Sequence, residues 1–412
     1  MFNQNDVKIG IVGLGYVGLP LAVAFGEKFD TRGFDINSQR VEELKNNIDS
    51  TLECTSEELC GAAHLTYTDD KSDLLDCNVY IVTVPTPIDK KQQPDLSPLL
   101  KASEMLGSIL SPGDVVIYES TVYPGATEED CVPVLEKSSN LIFNKDFFIG
   151  YSPERINPGD KNHNVKTIKK VTSGSNQDTA KFVDDLYKSV IIAGTHLAPS
   201  IKVAEASKII ENVQRDVNIA LINELSLIFK KMNINTIDVI EAASTKWNFM
   251  KLTPGLVGGH CIGVDPYYLL HKSKQCGYIP DLMRTAREIN DGMPEVISEQ
   301  FIKELIINEV NPVGARVIVL GFTFKENCPD LRNTKVYNLY LSLINNGFEV
   351  DVFDPWADPK EVFEEYGINL INSIDSQYDA SILAVGHDSV LSTLTCNKEK
   401  LGYLMNFRGF DV

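Results

Sequence analysis

The 412-residue sequence predicts an α/β protein in which two doubly wound domains are joined by a long central helix and a helical middle region. Three observations predict this class. Short apolar runs alternate with helical stretches in the first half of the chain. A glycine-rich turn follows the first run. From Pro199 to residue 231 the chain keeps a helical apolar spacing with no further glycine or proline.

The N-terminal region has the order of a strand–helix–strand unit. A buried parallel strand is predicted at residues 7–12, a helix at 16–27, and a second strand at 31–34 that ends at Asp35. Further strands are predicted at 79–84, 115–118 and 147–151. This alternation predicts a doubly wound, Rossmann-like domain over residues 1–198.

The middle region is predicted to be helical over residues 199–310. A helix over 199–231 would be about 45 Å long at ~1.5 Å per residue. It could bridge two domains, contact a second subunit or lie buried in a core, and the apolar spacing leaves these readings open. The pentapeptide Asn-Asp-Gly-Met-Pro at 290–294 predicts a turn within this region.

The C-terminal region repeats the strand–helix–strand order. Strands are predicted at 315–321, 349–353 and 380–385, with a helix over 333–346. The sequence Asn-Pro-Val-Gly before the first of these strands marks a boundary. Residues 311–412 are therefore predicted to form a second, smaller Rossmann-like domain.

Composition narrows the class of protein. The formal net charge of −19 argues against nucleic acid as the main partner. Neither a signal peptide nor a membrane span is predicted, because no basic N-terminal region precedes an apolar stretch and no apolar run reaches ~18 residues. The eight cysteines have no zinc-ligand spacing. We expect a reduced, cytoplasmic protein without a metal site or a membrane partner.

The sequence Gly-Leu-Gly-Tyr-Val-Gly at 13–18 predicts a dinucleotide-binding turn, because it follows a strand and opens a helix. Gly13 permits the tight turn, Gly15 lets the backbone approach a pyrophosphate, and Gly18 permits close helix–strand packing. The helix N-terminus offers amides to the phosphates. The remaining predicted contacts in this turn are Tyr16 and Val17. The alternative is a glycine turn used only for packing.

Asp35 predicts the choice of cofactor. Its position after the second strand suits hydrogen bonds to the adenosine ribose and repels a 2′-phosphate, so NAD is favoured over NADP. Arg40 is included in the predicted cofactor site. So is Thr86, in the sequence Val-Pro-Thr-Pro at 84–87, because this loop follows a parallel strand at the carboxyl edge of the sheet.

A single thiol stands in a glycine-rich loop at 254–268. Cys261 is followed four positions later by Asp265. A nucleophilic thiol and a hydride acceptor in one chain indicate oxidation through a covalent sulfur adduct. The alternative is a small buried hydrophobic cysteine. His260 is not assigned as its base, since neighbouring side chains of an extended chain point apart.

These residues resemble the UDP-glucose/GDP-mannose dehydrogenase family, the nucleotide-sugar 6-dehydrogenases. Beside the glycine turn, the matching motifs, in the family's order, are Ser120-Thr121, Ser152-Pro153-Glu154-Arg155, Lys208-x-x-x-Asn212, Gly258-Gly259-His260-Cys261 and Gly321-Phe322-Thr323-Phe324-Lys325. The stretch Lys246-Trp247-Asn248-Phe249 and the cysteine loop resemble the branch that acts on UDP-N-acetylhexosamines.

The resemblance implies a four-electron oxidation of the C6 hydroxyl of UDP-GlcNAc or UDP-GalNAc to the uronic acid, with NAD as acceptor, for surface polysaccharide synthesis. It implies a Cys261 thiohemiacetal that becomes a thioester. Alternatives are the same chemistry on UDP-glucose, UDP-ManNAc or GDP-mannose. Alternatives of another class are a cysteine hydrolase or acyltransferase, and a non-catalytic NAD-binding protein.

The resemblance also implies roles for single residues. Lys208 stabilises charge on the C6 oxygen and shares a helix face with Asn212. Asp265 holds water near this lysine. Glu154 and Thr121 position water and transfer protons. The implied substrate contacts are Glu154, Arg155, Lys208, Asn212, Gly258 and Lys325, and the implied further cofactor contacts are Thr121 and Arg332. The chain is expected to form a homodimer through the 199–231 helix.

One departure concerns the C-terminus. The resemblance implies a further strand and an arginine-bearing segment after residues 380–387. The given sequence runs to Val412, so we expect the last strand to be unusually short or missing, with weaker binding of the nucleotide-sugar. Arg408 is assigned no role.

Overall fold

The computed structural model describes residues 6–89, 91–156, 164–259 and 261–409. The chain divides into two compact units, Met1–Glu211 with Tyr267–Gly277 and Asn212–Pro266 with Tyr278–Val412. Each unit contains a doubly wound sheet, and a helix of 31 residues begins at Ile201. The predicted α/β class with two Rossmann-like folds and a long central helix is therefore confirmed.

The first unit is built on an eight-stranded sheet with the order β3-β2-β1-β4-β5-β6-β7-β8. The strands are β1 (Lys8–Val12), β2 (Asp30–Phe34), β3 (Leu65–Thr68), β4 (Val79–Val82), β5 (Val115–Tyr118), β6 (Phe148–Tyr151), β7 (Lys170–Gly174) and β8 (Thr195–Leu197). The first six run parallel, whereas β7 is antiparallel to β6. All five strands that the sequence predicted in this region are present.

Three strands of this sheet were not predicted from the sequence. β3, β7 and β8 are rich in threonine, lysine and serine and lack a continuous apolar run. They form because the neighbouring strands offer unpaired backbone groups for hydrogen bonding. This is a tertiary effect, so the local spacing of apolar residues does not predict it.

The helices of the first unit cover the two faces of its sheet. They are α1 (Gly18–Gly26), α2 (Ser38–Lys45), α3 (Ser56–Gly61), α4 (Ser97–Gly107), α5 (Val132–Ser139) and α6 (Gln177–Lys188). The core joins strand residues to α1 and α6, and its members include Ile9, Ile11, Ile81, Ile117, Leu21, Phe25, Val183 and Leu186. Burial of each large aliphatic side chain contributes about 2 kcal/mol, so this core fixes the strand ends that carry the loops.

The middle of the chain consists of helices. They are α7 (Ile201–Lys231), α8 (Thr236–Ser244), α9 (Asp265–Gln275) and α10 (Asp281–Ile307). α7 begins after Pro199 and ends before Asn233, whose positive φ of 56° reverses the chain. The predicted long helix is thus confirmed. Over the described residues, no helix combines the length and the apolar character needed to cross a membrane.

The predicted turn at 290–294 is wrong, because α10 continues through this segment with Pro294 inside it. The fully buried Asn290 donates to the backbone oxygen of Asp216 at 3.0 Å and accepts from Asn223 at 2.9 Å. Pro294 is itself buried. These tertiary contacts outweigh the weak helix propensity of the Asn-Asp-Gly-Met-Pro sequence.

The second unit contains a parallel sheet with the order β10-β9-β11-β12. The strands are β9 (Arg316–Leu320), β10 (Glu349–Phe353), β11 (Ala380–Leu383) and β12 (Tyr403–Met405), and the helices after α10 are α11 (Lys335–Asn345), α12 (Pro359–Tyr366) and α13 (Asp388–Cys396). The last strand, expected to be short or missing, is present with three residues. α10 and α11 pack on the sheet through Phe301, Leu339 and Leu343.

Candidate active site

The glycine turn of the first unit follows β1 directly. Gly13 has a φ of +96°, and its N–H donates to the Phe34 oxygen at 2.8 Å. A Cβ added at Gly18 would lie 1.8 Å from the Gly13 oxygen and 2.4 Å from Thr83 Oγ1. Both positions therefore require glycine, the first for its backbone conformation and the second for the close approach of α1 to the turn.

The tip of this turn is open on its outer side. Gly15 is exposed, and a Cβ added there would meet no atom within 4 Å. Within α1, which is described throughout, no side chain caps the helix at Val17 and no acidic residue lies in the first turn. Tyr16 and Val17 are half-buried beside it. An anionic group can therefore approach the backbone and the positive end of α1 without meeting an acidic side chain of this helix.

Asp35 ends β2 beside the glycine turn. One of its carboxylate oxygens accepts the Leu14 N–H at 2.8 Å, and the other accepts the Asn37 N–H at 2.9 Å. Arg40 lies on the other side of the turn, where its Nε donates to the Leu14 oxygen at 3.0 Å. Arg40 is buried and forms an ion pair with Asp49 at 2.7 Å. Its contacts are with the turn itself, which it supports.

The loops after β4 and β5 are held together at the carboxyl edge of the same sheet. Thr86 Oγ1 donates to the backbone oxygen of Thr121 at 2.7 Å, and Ser120 Oγ donates to the oxygen of Val84 at 2.6 Å. Tyr268 OH donates to the oxygen of Thr86 at 2.7 Å. The structure thus brings together Thr86 and Thr121, two residues predicted to contact the cofactor.

Glu154 follows β6 and is buried, with one carboxylate oxygen accepting the backbone N–H groups of Arg155 and Ile156 at 2.5 Å. The other oxygen accepts from Lys170 Nζ at 2.9 Å. Lys170 also bonds to Glu119 at 2.5 Å. A lysine between two buried carboxylates is therefore part of the surroundings of Glu154.

Ionisation is perturbed in this cluster. Burial raises the pKa of Glu119 to about 7, although the adjacent Lys170 ammonium acts in the opposite direction. Burial also opposes the charged form of Lys170, but the two carboxylates outweigh it and raise the Lys170 pKa above its ordinary value. The ammonium thus remains charged, and Glu119 exchanges its proton near neutral pH.

Lys208 is buried within α7. One turn earlier on the same helix, the fully buried Glu205 accepts the N–H groups of Gly125 at 2.5 Å and Thr127 at 3.0 Å. Burial raises the pKa of Glu205 to about 7. Arg155 is half-exposed and pairs with Glu211 at 2.7 Å. α7 is thereby anchored to the loop that follows β5.

The second unit brings together three predicted catalytic residues. Asn212 Nδ2 donates to an Asp265 carboxylate oxygen at 2.5 Å, and both residues are buried. The Asp265 N–H donates to the backbone oxygen of Cys261 at 2.8 Å, so the cysteine lies one turn before α9. Cys261 is half-buried. His260 lies outside the described residues.

The cysteine loop packs against the segment that follows β9. A Cβ at Gly258 would lie 2.7 Å from the Asn333 oxygen, and one at Gly259 would lie 2.8 Å from the Phe324 ring. Lys325 Nζ lies 5.5 Å from the Phe324 ring centroid, and Arg332 pairs with Asp330 at 2.5 Å. Gly258, Lys325 and Arg332, separated in sequence, thus belong to one neighbourhood within this unit.

Several residues of these surroundings were missed by sequence reasoning. Asn223 binds both backbone groups of Gly255, since its Nδ2 donates to the oxygen at 3.0 Å and its Oδ1 accepts the N–H at 2.8 Å. Arg408 pairs with Glu326 at 2.5 Å and lies beside Gly255. Glu119 and Lys170 were missed as well. Single polar residues within apolar helices and strands carry no local signal of such a role.

Family models match the chain in three consecutive segments. Residues 7–191 match the NAD binding domain of the UDP-glucose/GDP-mannose dehydrogenase family, residues 202–292 its central domain and residues 318–406 its UDP binding domain. The predicted cofactor, NAD, is confirmed by the first of these matches.

Similar proteins carry names from the same family. The chain is 58% identical over 400 residues to a UDP-N-acetyl-D-glucosamine 6-dehydrogenase of Pseudomonas aeruginosa, covering 97% of this chain and 95% of that protein. It is 56% identical over 388 residues to one of Salmonella typhi, covering 94% and 91%. A solved UDP-D-ManNAc dehydrogenase of Pyrococcus horikoshii has a TM-score of 0.88 at 30% identity, covering 98% and 96%.

Proposed function

The chain belongs to the UDP-glucose/GDP-mannose dehydrogenase family as an NAD-dependent nucleotide-sugar dehydrogenase, and on that premise we propose that it oxidises UDP-GlcNAc or UDP-GalNAc at C6 to the uronic acid. The product would serve the synthesis of a surface polysaccharide. Identities of 56–58% to UDP-GlcNAc 6-dehydrogenases over almost the whole chain support this substrate.

The observation that carries the proposal is the arrangement of Cys261, Asp265 and Asn212 in the second unit. A thiol held one turn before a buried, amide-bonded carboxylate suits a reaction that needs both a nucleophile and a proton-transfer group. A cysteine that only fills a core would not need a buried polar pair beside its loop.

The residues present fit a bound NAD. The open backbone at Gly15 and the positive end of α1 suit its pyrophosphate, and Asp35 suits a ribose diol. We assign Gly13, Tyr16, Val17 and Gly18 to the same turn, and Arg40, Thr86, Thr121 and Arg332 to supporting or direct contacts. When bound, NAD supplies the hydride acceptor for each of two oxidations.

In the first oxidation, C6 would lose a hydride and its hydroxyl group would lose a proton to water held near Lys208, which gives an aldehyde. Lys208 would stabilise the negative charge that develops on the C6 oxygen. The Cys261 thiolate then adds to the aldehyde carbon, forming a C–S bond and a thiohemiacetal. This addition makes C6 tetrahedral, with the former carbonyl oxygen now negatively charged, so the hydrogen that C6 retains can leave as hydride and the second oxidation produces a thioester on Cys261.

Hydrolysis completes the reaction. Water attacks the thioester carbon, the C–S bond breaks, and the acid leaves with the thiolate restored. Glu154 and Thr121 would hold this water and accept its proton, while Asp265 would hold water near Lys208. We assign Arg155, Asn212, Gly258 and Lys325 to the nucleotide-sugar, because basic side chains and amide donors suit a diphosphate.

We propose three domains on the basis of these roles. Residues 1–198 bind NAD, 199–310 carry the cysteine loop, and 311–412 bind the UDP group. The three family segments support this division. We place the enzyme in the cytoplasm, where cysteines stay reduced and NAD is available.

We further propose a homodimer through α7. Apolar residues at intervals of seven, Val203 with Ile210 and Leu221 with Ile228, are 45–56% exposed on this helix. Covering them with a second copy would remove apolar surface from water. Light scattering at micromolar concentration should give twice the 45.7 kDa chain mass, and a monomer there would contradict the interface.

The direct test of the function is the amount of NADH formed per sugar. Enzyme and NAD are mixed with UDP-GlcNAc, UDP-GalNAc, UDP-ManNAc, UDP-glucose and GDP-mannose in separate reactions. We expect two NADH per sugar, with the highest kcat/KM for a UDP-N-acetylhexosamine. One NADH per sugar would contradict the thioester route. None with any sugar would favour a cysteine hydrolase, an acyltransferase or a non-catalytic NAD-binding protein.

A Cys261→Ala variant isolates the thiol. It should bind NAD like the unmodified enzyme but form no acid, because no adduct can restore a hydride donor after the first oxidation. Cys396→Ala, at an exposed cysteine outside the proposed site, is the matched control. Normal acid formation by Cys261→Ala would refute the covalent mechanism.

A further inference from the structure

We infer that Lys170 is a positioning residue for Glu154 in the hydrolytic step. Its ammonium group bonds to one carboxylate oxygen of Glu154 and so fixes the orientation of that carboxylate. Lys170 lies on β7, a strand that sequence analysis did not predict, and it has no part in the mechanism above. The inference rests on the proposed function, because it assumes that Glu154 handles the hydrolytic water.

The geometry singles out this lysine. Its side chain is 2% exposed, yet its Nζ lies 2.9 Å from the Glu154 carboxylate and 3.2 Å from the backbone oxygen of Pro153. The second Glu154 oxygen is held by two backbone N–H groups, those of Arg155 and Ile156. The carboxylate is thus fixed at both oxygens, and Lys170 is the source of positive charge among these contacts.

The ammonium is itself fixed from a second side. Glu119, at the end of β5, bonds to Lys170 Nζ at 2.5 Å and accepts a hydrogen bond from Tyr187 OH on α6. The Tyr187 ring centroid lies 5.8 Å from Nζ. The titratable groups that face Lys170 therefore come from three elements: Glu119, Glu154 and Tyr187.

Charge balance gives this arrangement a functional consequence. Glu119, Glu154 and Lys170 are all buried, so two carboxylates share one ammonium, and its removal would leave the Glu154 carboxylate without its ion-pair partner. Lys170 Nζ bonds to both carboxylates, to Glu119 at 2.5 Å and to Glu154 at 2.9 Å, and burial raises the pKa of Glu119 to about 7. Glu154 lies in the loop that follows β6, at the carboxyl edge of the parallel strands, where doubly wound folds bind their ligands.

The first experiment measures hydrolysis directly. The protein is mixed with NAD and UDP-GlcNAc in a single turnover, and the mass of the Cys261 peptide is followed as the thioester decays at several pH values. In Lys170→Met we expect decay about tenfold slower at neutral pH, with the acid limb of the rate profile shifted to higher pH. Lys170→Arg should restore most of the rate.

Two further variants make the test specific. If Lys170 acts through Glu154, adding Lys170→Met to a Glu154→Gln variant should slow the decay of the thioester little further. If the two residues act independently, the two decreases in rate would multiply. Lys181→Met, which removes an exposed lysine paired with Asp185, should leave the profile unchanged. Should Lys170→Met fail to fold, Lys170→Gln takes its place, since it keeps a donor without the charge.

The outcomes are distinguishable. An unshifted acid limb in Lys170→Met, or equal slowing with and without the Glu154 carboxylate, overturns the inference and leaves the dehydrogenase function intact. A wild-type protein that never forms the Cys261 thioester overturns the proposed function first. A shifted limb, rescued by arginine and absent from the Glu154→Gln background, supports the positioning role.

Discussion

The Asp35 side chain has a structural role in the fold, and we propose a second role for it in cofactor recognition. Its carboxylate accepts the Leu14 N–H at 2.8 Å and the Asn37 N–H at 2.9 Å, so it holds the glycine turn in place. We propose that the same negative charge repels the 2′-phosphate of NADP. Sequence spacing predicted the second role, and only the structure revealed the first.

Asp35→Asn removes the charge and keeps one of the two acceptor oxygens that hold the turn. We expect the ratio of kcat/KM for NAD to that for NADP to fall by about tenfold or more, corresponding to ~1.4 kcal/mol of lost discrimination. Asp30→Asn, at an exposed position at the start of the same strand, is the control. An unchanged ratio would argue against a ribose contact at this position.

At the scale of the element, the turn before α1 has glycine at two positions that differ in their surroundings. Gly18 is required for packing, because a Cβ would lie 1.8 Å from the Gly13 oxygen. Gly15 is not needed by the fold, because its outer side is open. Packing therefore explains Gly18 but not Gly15, and we propose that Gly15 is needed for cofactor binding.

Gly18→Ala and Gly15→Ala should separate these requirements. We expect Gly18→Ala to destabilise the first unit by about 1–3 kcal/mol, because backbone atoms must move to admit the methyl group. Gly15→Ala should fold with unchanged stability and bind NAD at least about tenfold more weakly, because its methyl group faces the pyrophosphate. Chemical denaturation and NAD titration measure the two effects. Equal stability losses would refute this division.

Helix α10 shows the limit of local signals at this scale. Its Asn-Asp-Gly-Met-Pro segment has the composition of a turn, yet the chain stays helical across it. Asn290 is bonded to Asp216 and Asn223, and Arg287 pairs with Asp216 at 2.6 Å. Buried polar contacts to α7 thus keep this segment helical, although its low helix propensity alone would favour a turn.

At the scale of the whole molecule, buried carboxylates affect how stability depends on pH. Burial raises the pKa of Glu119 and of Glu205 to about 7, and that of Asp114 to about 6. A carboxyl group with a raised pKa holds its proton in the folded chain at pH values where the unfolded chain has lost it. The contribution of these groups to stability is therefore present at low pH and is lost as pH rises toward the pKa values that they have in the folded chain.

Glu205→Gln tests this dependence. In the unmodified protein, Glu205 favours unfolding as pH rises from its ordinary pKa of 4.5 to its raised pKa of about 7, because over this range the carboxyl group loses its proton more readily in the unfolded chain. Glutamine can accept one of these two backbone N–H groups and does not titrate, so the thermal midpoint of the variant, although lower at every pH, should fall less between pH values of about 5 and 8. Glu241→Gln, at an exposed position on α8, should leave the slope unchanged. An equal slope in Glu205→Gln would contradict a raised pKa at this site.

The sequence by itself determined the α/β class, the glycine turn with its acidic partner, the long helix and the family. These features are local or periodic: apolar runs form buried strands, and motif spacing is set by the turn that the motif builds. Five of the eight strands of the first sheet and all three strands predicted in the second were found from such signals.

Tertiary structure alone decided the partners of single polar residues. Lys170 joins Glu119 and Glu154 across separations of 51 and 16 residues, and Asn223 binds Gly255 across 32. The edge strands β3 and β8, the neighbouring strand β7 and the unbroken α10 likewise depend on neighbours distant in sequence. Such contacts arise because a buried polar group must find a partner wherever the fold supplies one, and the local sequence does not record where that is.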